Sequence, residues 1–105
     1  MAPERCVVFA ALLLAAACVP ARAATVQITM ENLEISPAAV SAEVGDTVEW
    51  SNKDVVVHSA TARNGDFDVN LSPKKTGGVV LKKAGTVDYY CRYHPNMKAT
   101  LKIEP

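Results

Sequence analysis

The chain has 105 residues, half of them hydrophobic, with 11 basic and 11 acidic side chains and no net charge. That length holds one small domain. Balanced charge without a basic cluster excludes a nucleic-acid-binding surface, which needs clustered Lys and Arg to meet phosphates.

The first segment reads as an export signal rather than as part of a fold. Arg5 and the amino terminus give a short positive region, diluted by Glu4. An apolar run follows over residues 7–19, and Ala21-Arg22-Ala23 is a small-x-small cleavage pattern. The run is short for crossing a bilayer. Cleavage after Ala23 removes residues 1–23 as a signal peptide and leaves residues 24–105 as the mature domain, with the periplasm as the expected location. A second reading takes Ala15-Ala16-Ala17-Cys18 as a lipobox. It would put a lipid on Cys18 and hold the protein at a membrane, although Ala stands where Leu is usual. Cleavage after Ala23 removes both Cys6 and Cys18, so Cys91 becomes the only thiol. Small exported domains commonly lean on disulfides, and this one can form none within itself. A lone cysteine in an oxidising compartment is a hazard unless it is buried or already bonded.

From residue 24 onward the apolar pattern alternates in short runs, with turn signals between them and no long helical period. Val26, Ile28 and Met30 alternate with Gln27 and Thr29. Residues 33–35 follow, and Ser36-Pro37 breaks the run. Residues 40–44 end at the turn Gly45-Asp46. Residues 47–52 alternate, with Val48 and Trp50 on one face. Residues 55–60 form an apolar run that carries His58. Residues 61–73, rich in Asn, Asp, Gly and Ser, read as a loop. Residues 78–81 are strand-like, and Lys83-Ala84-Gly85 turns the chain. Val87, Tyr89 and Cys91 share one face. Ala99, Leu101 and Ile103 alternate with Thr100 and Lys102 at the end. The expected fold is all-β, a Greek-key sandwich of about seven to eight strands over one core. Trp50 and Tyr89 belong in that core, and Tyr90 on the opposite face by the two-residue period. Lys74-Lys75 and Lys82-Lys83 read as solvated edge positions.

The chemistry concentrates in Cys91-Arg92-Tyr93-His94-Pro95-Asn96-Met97, a C-x2-H-x2-M pattern at the end of a strand. Thiolate and thioether are soft ligands that suit copper(I), and imidazole suits copper(II) as well. A site holding one copper ion in both oxidation states needs that mixture. Pro95 stiffens the loop by fixing its own backbone and restricting His94. Two His and one Cys make a trigonal plane, and besides His94 the chain offers only His58. The metal set is therefore His58, Cys91, His94 and Met97, with Met97 as the weak axial contact. Taken singly, each has a plainer reading: a core histidine in an apolar run, a packing methionine, a chance C-x2-H. Taken together, with export and no disulfide partner, they favour the metal. Zinc with Cys and two His is chemically possible, but methionine is not a usual zinc ligand.

These motifs resemble those of the cupredoxins, and within them the small blue-copper proteins of the amicyanin and plastocyanin group. "VGDTVEWSNKD" resembles the family's Gly-Asp-Thr-Val-x-Trp-x-Asn strand, "HSATA" stands where the first histidine ligand occurs, and "AGTVDYYCRYHPNM" resembles the strand and ligand loop. The resemblance implies one-electron transfer between larger redox proteins. It also implies that Asn52 ties the ligand loop to the histidine strand by hydrogen bonds. Ser59 stands where Asn or Thr is commoner, Ala99 replaces a frequent Gly, and Asn96 replaces a bulky apolar residue. Four protein ligands leave no open position for a substrate, so the expectation is a monomeric carrier rather than an enzyme. A copper transport or storage protein is the rival reading, and the Met-rich or His-rich tracts that would favour it are missing from the sequence. His94 is expected to present a solvent edge framed by Pro95, Val55 and Val56, where redox partners dock, and His58 to be the more buried ligand.

Overall fold

The computed structural model describes residues 23–105. The expected lipidation site at Cys18, and all of the expected leader except Ala23, lie outside the described residues. Among the described residues, nine strands run in chain order: β1 (Thr25–Glu31), β2 (Glu34–Ser36), β3 (Ala39–Glu43), β4 (Thr47–Asn52), β5 (His58–Ala62), β6 (Asp68–Leu71), β7 (Thr76–Val80), β8 (Gly85–Cys91) and β9 (His94–Glu104). They form a four-stranded sheet in the order β2-β1-β4-β7 and a five-stranded sheet in the order β3-β9-β8-β5-β6.

The alternation read from the sequence is what lets two sheets share one core. In β4, Val48, Trp50 and Asn52 are buried while Thr47, Glu49 and Ser51 are half-buried. In β8, Val87, Tyr89 and Cys91 point inward and Tyr90 outward. Leu101, Ile103 and Ala99 of β9 meet Ile28 and Met30 of β1 in the same cluster. At its centre the Trp50 ring lies 5.5 Å from that of Tyr89 and 5.4 Å from that of Phe67. The Trp50 indole N–H donates to the Tyr89 hydroxyl at 3.1 Å, which satisfies a donor that burial would otherwise strand. Gly78 lets β7 lie close against β4, because a Cβ there would sit 2.8 Å from the Val48 carbonyl oxygen.

Two local expectations change. Residues 61–73 are not one loop: β5 runs to Ala62 and β6 follows as an edge strand, pairing Ser59 with Asn70 and Thr61 with Asp68. Polar residues line its outer face, so its composition mimics a loop while its alternation is that of a strand. The apolar run 55–60 is also not one strand. β5 begins at His58, and Val55 and Val56 are exposed. The strand count rises to nine for the first reason, together with the short β2.

Tyr89 gives a test of this core. Burial pushes its phenol up to about 12, against the hydrogen bond from Trp50, which acts the other way. The folded state therefore keeps the proton after the unfolded chain, near 10, has lost it. This contribution is full below pH ~10 and falls as pH rises through about 12. Tyr89→Phe should remove that part of the alkaline slope. It should also cost about 1–3 kcal/mol at neutral pH by leaving the indole N–H unpaired. Urea unfolding of both proteins at neutral pH and across alkaline pH checks both effects.

Candidate metal centre

The β8–β9 hairpin assembles half of the site. Tyr90 pairs with Lys98, yet Cys91 pairs with His94, so Pro95, Asn96 and Met97 bulge out of the ladder. Pro95 has no N–H to lose there. The bulge leaves a two-residue turn, Arg92-Tyr93, between Cys91 and His94. β5 brings the other half: its first residue, His58, is fully buried beside Cys91.

The three side chains converge. Cys91 Sγ lies 3.7 Å from His58 Nδ1 and 3.6 Å from His94 Nδ1. All three donor atoms fall within 4.8 Å of one another. Metal bonds of about 2.0 Å to nitrogen and about 2.3 Å to sulfur, meeting at about 120°, leave nitrogen and sulfur about 3.7 Å apart. The two observed edges therefore fit a trigonal plane around one metal ion. Met97 is buried on β9, three residues beyond His94. His58 is the more buried of the two imidazoles, as expected, and His94 is half-buried.

Residues that sequence reasoning passed over hold this set in place. Asp54 is the first. Its Oδ2 lies 2.8 Å from His58 Nε2. With that ring nitrogen engaged, Nδ1 is the one that faces Cys91. The same carboxylate accepts the Asn32 amide at 2.8 Å and the Leu33 amide at 3.1 Å. Asn32 and Leu33 turn between β1 and β2 with φ of 55° and 62°. The hydrogen bond from His58, then those from the two amides, hold the Asp54 carboxyl below its usual range despite desolvation.

Ser59 is the second. Its amide donates to Cys91 Sγ at 3.4 Å, and its hydroxyl accepts the Arg92 amide at 2.8 Å. Ser59 thus does the work expected of Asn52, tying the ligand loop to the histidine strand. Asn52 binds elsewhere. Its amide group donates to the carbonyls of Val56 at 2.9 Å and Leu71 at 3.1 Å, and its Oδ1 accepts the Asp54 amide at 2.8 Å. It shapes the β4–β5 connection that carries Asp54. The spacing Asp54-x3-His58 was a readable signal for the first of these residues. The sequence marked Ser59 only as a departure from the usual Asn or Thr and not as a bridge, because its partner is 32 residues away.

A third group clamps the loop from the edge strand. The Arg92 guanidinium donates to Asp68 at 2.6 Å and to Asn70 at 3.3 Å, and the Tyr93 hydroxyl donates to the same Asn70 oxygen at 2.7 Å. Asp68 and Asn70 sit two apart on β6, so they share its outer face. The Thr61 hydroxyl and then Arg92 hold the Asp68 carboxyl below its usual range. An exposed ion pair alone is worth little, and here several bonds act on one turn. Replacing Asp68 and Asn70 together by Ala should speed amide hydrogen exchange at residues 92–94 by roughly tenfold and leave β1 and β4 unchanged. Unchanged exchange at the turn would show that its backbone bonds suffice.

Comparison with known proteins agrees with this geometry. The model of the cupredoxin-like domain matches residues 4–103. The chain is 29% identical over 96 residues to amicyanin of Paracoccus versutus, covering 86% of this chain and 71% of that one. It is 29% identical over 88 residues to the methylamine utilization protein MauL of Methylorubrum extorquens, covering 80% and 77%. Among solved structures, a copper(I) form of an amicyanin variant superposes with a TM-score of 0.67 at 21% identity, covering 76% and 82%. A purple cupredoxin from Nitrosopumilus maritimus superposes with a TM-score of 0.66 at 26% identity, covering 75% and 99%. The relatives and the cluster of His58, Cys91 and His94 together support one copper ion as the cofactor. With a match that spans nearly its whole length and a fold of two β-sheets around that cluster, this chain belongs to the family of cupredoxin-like domains.

Proposed function

We propose that the protein is a periplasmic one-electron carrier with a mononuclear type 1 copper site. His58, Cys91, His94 and Met97 would hold the copper ion. The observation that carries this reading is the meeting of two imidazole nitrogens and one thiol at 3.6–3.7 Å inside a β-sandwich. Bound copper supplies a one-electron change between copper(I) and copper(II). The chain supplies the rest. Asp54 holds one imidazole in a single orientation, Ser59 holds the sulfur, and the Asp68–Asn70 clamp holds the turn between Cys91 and His94. Ligands held this firmly move little when charge changes. Burial of His58, Cys91 and Met97 would keep water from the ion.

His94 is the less buried imidazole and gives electrons the shorter way out. Val55 is 76% exposed and Val56 40%, in the connection leading to His58, and Tyr93 beside His94 is 44% exposed. Apolar side chains displayed this openly suit brief docking of a redox protein. Export is part of the same proposal, with residues 1–23 removed and residues 24–105 acting as a monomer. A lipid on Cys18 is the competing form of processing.

Copper(II) added to the purified metal-free protein should produce an intense blue thiolate-to-metal band, and Cys91→Ser should abolish it. A colourless complex would overturn the assignment. Copper should also stabilise the fold by about 2.7 kcal/mol when free metal stands at about 100 times Kd, read as a rise in Tm. Pro95→Glu should slow reaction with a redox protein while leaving the blue band nearly unchanged. Equal rates for variant and parent would place electron exit elsewhere.

A further inference from the structure

Among the described residues, the first tertiary bonds are made at Ala24. The Ala24 amide nitrogen donates to Asp46 Oδ1 at 2.9 Å, and the Ala24 carbonyl accepts the Thr47 amide at 2.9 Å. From there β1 runs beside β4 in parallel register, starting with Thr25 opposite Thr47. Ala23 is exposed. Asp46 is 8% exposed and has both oxygens in use, since Oδ2 accepts the Glu43 amide at 2.9 Å. Its main chain is held as well: its amide donates to the Glu43 carbonyl and its carbonyl accepts the Leu81 amide. The carboxylate is thus a fixed acceptor aimed at the nitrogen of Ala24.

That nitrogen is the atom that cleavage after Ala23 would free. In the uncut chain it is a neutral amide with one proton to give. In the cut chain it is an α-ammonium with three, and the positive charge adds coulombic attraction to a bond that the carboxylate alone assists in the uncut chain. We infer that Asp46 is the seat of the mature amino terminus, and that processing between Ala23 and Ala24 tightens the fold by turning the Ala24–Asp46 hydrogen bond into an ion pair. This rests on the export reading in the proposal above. The arrangement has a directional use. A chain that must be threaded through a membrane unfolded lacks this ion pair until the leader is gone, and gains it on the far side. The seat anchors the end of β1, whose other end meets Asp54, and so steadies the sheet from which β4 leads into the copper site. A lipid on Cys18 would forgo it, because Ala24 would stay an internal amide.

The test compares four metal-free chains of the mature domain. One begins at Ala24 with a free amine, one carries an extra Gly before Ala24, and each is made with Asp46 or with Asp46→Asn. With Asp46 the free-amine chain should melt about 4–8 °C higher than the extended one, and in the Asp46→Asn pair the gap should close. Acetylating the free amine should reproduce the extended chain. A gap that persists without the carboxylate, or no gap with it, overturns the seat. Mass spectrometry of the exported protein tests the processing separately. A chain beginning at Ala24 supports it, and a chain beginning at a lipidated Cys18 overturns it whatever the melting curves show. Neither measurement involves copper, so failure of the seat and failure of the copper reading remain distinct.

Discussion

Everything about the site depends on one break in one ladder. β8 and β9 pair regularly from Gly85 opposite Ile103 up to Tyr90 opposite Lys98, and then the register slips so that Cys91 faces His94. Without the slip, a strand pair would set Cys91 opposite Met97 and carry His94 away along the chain. With it, three residues bulge, and Cys91 and His94 come together across a two-residue turn. A bulge of this size leaves ladder groups unpaired. It is held by the bonds of Ser59 to Cys91 and Arg92 and by the grip of Asp68 and Asn70 on Arg92 and Tyr93. The histidine strand and its edge neighbour exist, in this sense, to make the slip tolerable.

The same bonds answer the difficulty posed by size. A domain this small buries a modest core and has little stability to spare, and among the described residues Cys91 is a free, buried thiol. Cross-linking falls instead to carboxylates and to the metal. Each carboxylate ties backbone segments far apart in sequence. Asp54 joins the β1–β2 turn to His58, and Asp46 joins the start of β1 to the end of β3. A copper ion held by His58, Cys91 and His94 would add a link among β5, β8 and β9.

The fold class was legible because inward-facing apolar residues alternate over most strands, and Trp50, Tyr89 and Leu101 fell where that alternation put them. The edge strand β6 was not legible, since Asp68 and Asn70 make its outer face as polar as a loop. The metal cluster was legible for a chemical reason: Cys, His and Met within seven residues are rarely brought together by packing alone. Its supports were hidden to different degrees. Asp54 could be found from its closeness to His58, whereas Ser59 looked like a departure from the usual Asn or Thr and proved to be the bridge to the ligand loop. Asn52 has a bonding role, as the resemblance implies, but with other partners, because a hydrogen-bonding side chain does not reveal in sequence which carbonyls it will meet. Short-range constraints can be read from spacing, and long-range ones depend on how two sheets are stacked.

β4 shows how these constraints combine. Asp46 stands immediately before it and Asp54 two residues after it, and Trp50 lies between them in the core. Both acids accept backbone amides on or beside β1, so the parallel pair β1–β4 is fastened at both ends by side chains, beyond its own ladder. A carboxylate suits this work because it offers two acceptor oxygens and no donor that would need a partner of its own. An Asn at either place would present one acceptor and turn a donor toward an amide. The two ends then diverge in use. At one end the segments gathered are the start of β1 and the end of β3. At the other the segment gathered is the β1–β2 turn, and the oxygen shared with Leu33 also holds His58. One strand thus joins Asp46 at one end to the connection that leads to His58 at the other.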